Sequence, residues 1–181
     1  TSRSSFFAAP DLYHWVAPQL DVTNALALLR LEAQVRNIPE VLAASDAELL
    51  PIYDTVGGNP LALKLVSGQL RIYSLPTVLE DLHKARTPHI EELYEHIYFR
   101  AWNLLGGRAQ SVLLAMPLVS EQGGTIELLQ AMCQLPDIDL SKSLELLISL
   151  NLVEVRGGLQ RRNYTIHSLT RTFLHEQVIR W

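Results

Sequence analysis

The nearest approach to a chemical motif is the run Gly57-Gly58-Asn59-Pro60-Leu61-Ala62-Leu63-Lys64. A P-loop needs glycines whose amides cradle phosphates, closed by Gly-Lys-Ser/Thr. Here Lys64 has no glycine directly before it and no hydroxyl after it, and Asn59-Pro60 reads as a helix start. The run is therefore no P-loop. The histidines His14, His83, His89, His96, His167 and His175 lack metal-ligand spacing with Cys133 or with the carboxylates. Glu91, Glu92 and Glu95 crowd one stretch, and their spacing suits the solvated face of a helix rather than an acid–base pair. No serine or cysteine sits in a nucleophile setting. No catalytic residue and no metal ligand is assigned, and the chain as given is expected to be no enzyme.

The elements around these residues are mostly helical. Asp21 can cap a helix to about Arg36, with Leu26, Leu29 and Ala33 on one stripe. Ser45 and Glu48 form a capping box before a short helix that ends at Gly57-Gly58. Asn59 caps the next, with Pro60 at its first position, to about Tyr73. Pro76 opens another to about Lys84. Arg86, Thr87 and Pro88 read as a joint. A long helix comes next, from about Ile90 to Leu105, with Tyr94, Tyr98 and Trp102 along it. These aromatics suit a packed core seam better than a partner face.

From Gly107 the pattern changes. Helices are expected over Arg108 to Met116, Ile126 to Leu135 and Ser141 to Leu150, with a Gly123-Gly124 turn between the first two. Leu152 to Arg156 and Arg161 to His167 read as strands joined at Gly157-Gly158, with Tyr164 and Ile166 on the core face. His167 falls on the opposite face, so its ring is expected to point away from the core. A last helix starts at Ser168. Three helices, a hairpin and a closing helix predict a winged helix. The expected fold is mainly α: a tail over 1–19, a helical subdomain over 20–86 and a winged-helix domain over 87–181.

Composition narrows the setting. The chain has 181 residues, 48% of them hydrophobic, and a net charge of -4. That balance argues against a nucleic-acid binder. No apolar run reaches the roughly 20 residues that span a bilayer. A single cysteine excludes an internal disulfide and fits a cytoplasmic setting. Thr1 in place of a start methionine suggests a piece of a longer protein.

Three short motifs then appear in order. Thr1-Ser2-Arg3 resembles the sensor motif of NB-ARC ATPases. Gly57-Gly58-Asn59-Pro60-Leu61-Ala62-Leu63 resembles that family's GxP motif. Ile166-His167-Ser168-Leu169 resembles its MHD motif, at the junction of the wing and the last helix. Together they resemble the helical and winged-helix segments of a bacterial signal-transducing (STAND-class) NB-ARC protein, cut away from its P-loop domain.

The resemblance implies a role in ADP/ATP binding for Arg3, Gly58, Pro60, Leu61 and His167. The arginine would reach the terminal phosphate, Pro60 would pack on the adenine, and His167 would contact the β-phosphate of ADP. It implies partners too: the chain's own P-loop domain, C-terminal sensor repeats and, on activation, further copies of itself. The piece alone is expected to be monomeric and to hold no nucleotide tightly. Signalling or defence would be the output, through a closed ADP state and an open, oligomerising one. Ser168 stands where the family has aspartate, so no charge comes after His167, although serine can still cap the last helix. Two alternatives stay open. A DNA-binding regulator would read the groove with Ser141 to Leu150, but that helix carries Lys142 alone as a base. A structural adaptor would explain the fold and not the motifs.

Overall fold

The computed structural model describes residues 18–84, 90–120, 122–158 and 161–179. Arg3, most of the expected tail and the expected joint at 86–88 lie outside them. Among the described residues the chain is mainly helical, with one small antiparallel sheet.

The N-terminal helices start where local chemistry satisfies their orphan amides. Helix α1 (Val22–Arg36) is capped by Asp21, whose carboxylate accepts the Asn24 amide at 2.8 Å. It ends at Asn37 in the left-handed region. A short helix, α2 (Pro39–Ala43), comes next where no helix is predicted, started by a proline whose missing N–H costs nothing there. Helix α3 (Asp46–Val56) opens on the Ser45–Glu48 capping box. That box holds the Glu48 carboxyl below its usual range, chiefly through the Ser45 hydroxyl. Helix α4 (Pro60–Leu70) is the central one. Every residue from Leu65 to Leu70 is buried, so it is enclosed on all sides through its second half. It stops three residues before the expected Tyr73. Helix α5 (Leu75–Lys84) packs on α3 and α4 and buries Val78 and Leu82.

Helix α6 (Ile90–Asn103) joins this group to the C-terminal elements. The buried Gln69 side chain of α4 donates to the Ile97 carbonyl at 3.1 Å. Tyr98 is 2% exposed and stacks on Phe173 at 5.1 Å, so the aromatic stripe is core at that position.

Helix α7 (Gly107–Ala115) runs into a 3-10 turn, Met116–Leu118. Helix α8 (Ile126–Cys133) is capped by Thr125. Helix α9 (Asp137–Ser149) begins four residues before the expected Ser141, because Pro136 sets the entry and Asp137 and Asp139 favour the positive end of the helix dipole.

Strands β1 (Glu154–Gly157) and β2 (Arg162–Thr165) pair antiparallel, with Val155 opposite Tyr164. Gly157, φ 99°, ends β1 where the chain turns. Gly124 adds a further bridge, exchanging two backbone hydrogen bonds with Tyr164 at 2.9 and 2.8 Å. The predicted glycine turn is thus also a partner of the hairpin. Helix α10 (Ser168–Phe173) packs on α6 and continues as a π-helical turn, Leu174–Ile179. Arg171 donates to the carbonyls of Pro117 and Val119, tying α10 to the 3-10 turn after α7. Among the described residues one hydrophobic cluster runs from Ala25 to Leu174.

Candidate functional site

Gly58, Pro60 and Leu61 meet at the start of α4. Asn59 Oδ1 accepts the amides of Leu61 at 2.9 Å and Ala62 at 3.3 Å. Pro60 is exposed and Leu61 half-buried at this first turn. Gly58 is buried, and the Leu20 amide donates to its carbonyl at 2.9 Å. A β-carbon on Gly58 would stand 1.8 Å from the Leu20 carbonyl oxygen. The absent side chain at Gly58 is therefore explained by this close backbone approach, whatever else the glycine serves. Nothing in the sequence signalled that pairing, which spans 38 positions.

His167 stands on a different element, at the corner between β2 and α10. Its ring is half-buried, against the expectation that it points away from the core. Thr165, on the same side of the strand, is 2% exposed, so both faces of the strand's end are covered. The cap of α10 is also His167 and not Ser168: its Nδ1 accepts the Leu169 amide at 3.2 Å. Serine loses the role because it is already the first helical residue. An accepting Nδ1 leaves the ring proton on Nε2.

The other candidates resolve into structure. Glu95 accepts from Gln177 at 2.9 Å, and Glu92 is exposed. Burial pushes the Cys133 thiol up, away from the thiolate a nucleophile needs. Burial also pushes the Tyr94 hydroxyl up, to about 12. Among the described residues no group of three His, Cys, Asp or Glu could hold a metal, and no helix is long and apolar enough to cross a membrane. The guanidinium of Arg100 pairs with Asp81 and lies 4.5 Å from the Tyr73 ring centre, across the join of α5 and α6.

The hairpin arginines Arg156, Arg161 and Arg162 are exposed, and Arg156 pairs with Glu154 at 3.4 Å. Asp137 and Asp139 occupy the first turn of α9, where a groove-reading helix would meet phosphates, and Asp139 is bound by Arg108 at 2.9 Å. The chain is expected to give no salt-resistant, sequence-selective shift of duplex DNA in a gel assay. Such a shift would make α9 a reading helix in spite of its acids.

No protein-family model matches the chain, and no curated protein matches it.

Proposed function

We propose that this chain is the lid and latch of a nucleotide-dependent signalling switch of the NB-ARC type. The carrying observation is the order of its motifs: a Gly-Gly-Asn-Pro-Leu helix start, then a hairpin and a histidine where the hairpin meets the closing helix. In this proposal residues 107–181 act as a winged helix, with β1 and β2 as its wing. The exposed ring of Pro60 offers an apolar plane to an adenine, with Leu61 beside it. His167 supplies an N–H donor for a phosphate oxygen. A separate P-loop domain holds the phosphates and does any hydrolysis. ADP then bridges the three parts and keeps them shut, and its loss lets the C-terminal part move. This is two domain arrangements with different nucleotide preference.

A lid alone has no phosphate cradle. The 181-residue chain is therefore expected to show no micromolar ADP binding by calorimetry and no ATP hydrolysis. Micromolar affinity corresponds to about 8 kcal/mol, more than one proline face and one histidine supply. Micromolar binding by this chain would move the site into it and sink the lid model. The converse test is an ADP titration of an intact protein that carries this chain and a P-loop domain, where tight retention is expected.

A further inference from the structure

Helix α9 ends against α1 and α4, far from its sequence neighbours. Arg36, the last residue of α1, donates from Nε to the Ser149 carbonyl at 3.2 Å. One of its terminal nitrogens pairs with the Glu32 carboxylate, and the other donates to Oδ1 of Asn151. Nδ2 of Asn151 donates to the Lys64 carbonyl of α4 at 2.6 Å. Asn151 holds φ 59°, the left-handed region that asparagine tolerates better than most side chains. It thus turns the chain toward β1 while binding α1 with one end of its amide and α4 with the other.

We propose that Arg36 and Asn151 form a releasable polar clasp, which fastens the end of α9 and the base of the hairpin to α1 and α4. Two features make it releasable. The Arg36–Glu32 ion pair lies within α1 at i,i+4, so it survives opening and leaves no buried charge unpaired. The bonds that break are those to the Ser149 carbonyl, the Asn151 amide and the Lys64 carbonyl, and water can replace each of them. Beside the clasp the Leu150 backbone crosses α4 at Gly68, and Leu147, Leu150 and Leu152 are buried, so apolar packing accompanies the polar bonds. The side chains of Arg36 and Glu32 are only 12% and 11% exposed, so the clasp is dry when closed and directional. In the proposed switch this is the contact that parts when the C-terminal part swings. That role rests on the nucleotide model; the clasp does not.

Hydrogen exchange on the 181-residue chain tests it. Asn151→Gly keeps the left-handed turn and removes both side-chain bonds. Exchange should become roughly tenfold faster in residues 64–70 and 149–155, and stay unchanged in α7 and α8. Asn151→Asp keeps the acceptor for Arg36 and loses the donation to Lys64, so it should give a smaller effect in the same places. Ser45→Ala, which removes a distant helix cap, should not accelerate those two segments selectively. Acceleration spread evenly over all helices in the Asn151 variants, or none, overturns the clasp. ADP release from the intact protein separates the two claims. Local acceleration with unchanged ADP release keeps the clasp and discards its link to nucleotide.

Discussion

Replacing Gly68 with alanine is expected to lower the melting temperature of the chain by roughly 4–8 °C, about 2 kcal/mol. The new β-carbon would lie 2.8 Å from three backbone atoms of Leu150. Leu150 is 0% exposed, and no rotamer change moves a backbone. Either α4 or the end of α9 must shift. A shift large enough to relieve the clash also stretches the bonds from Arg36 to Ser149 and Asn151, each worth about 1 kcal/mol. The opposing gain is the helix propensity of alanine over glycine, about 1 kcal/mol in an exposed helix interior. The clash wins because this position is interior on all sides. Gly107→Ala is the comparison: nothing lies within 4 Å of its added methyl, so its melting temperature should hold or rise slightly. A thermal melt by circular dichroism reads both. An unchanged melt for Gly68→Ala would mean that α4 and α9 do not touch there in solution.

What was legible in the sequence was local. Asp21, the Ser45–Glu48 box and Asn59-Pro60 each announce a helix start, because a cap and its amide lie two or three residues apart. The hairpin was legible from alternation around Gly157. Helix α2 was not, since five residues carry no period. The helix expected from Ser141 starts four residues earlier, because Pro136 and two aspartates set its entry. Nothing local signalled the Gly124–Tyr164 bridge or the Arg36–Asn151 bond, whose partners are 40 and 115 residues apart. Nothing local at Gly68 signals the Leu150 backbone that crosses it. At the candidate site, Gly58, Pro60 and Leu61 could be placed from the Asn59 cap. The cap of α10 could not, because Ser168 outranks histidine in capping preference and loses only through its position in the turn.

If the proposed switch holds, His167→Ala in an intact protein that carries this chain and a P-loop domain is expected to speed ADP release by roughly 10- to 150-fold, since a hydrogen bond to charged phosphate is worth about 1.5–3 kcal/mol. Geometry decides how the ring makes that bond. Nδ1 already accepts the Leu169 amide, so in the proposed switch a phosphate would be met from the Nε2 side of the ring. A doubly protonated ring cannot accept from Leu169, so charging the imidazole would break the cap of α10. The cap also changes what the 181-residue chain should feel. Strand alternation alone suggests an outward-facing ring whose loss barely affects folding. With a half-buried cap, His167→Ala should instead cost about 1 kcal/mol, a fall of roughly 2–4 °C in melting temperature. His167→Asn separates the two jobs. Asparagine is a strong helix cap and should hold the melting temperature, but its shorter amide does not reach where Nε2 reaches. The expected result is a near-normal melt with fast ADP release for His167→Asn, and a lowered melt with fast release for His167→Ala. ADP release unchanged in both would take His167 out of the nucleotide site and leave it as the cap of α10 alone.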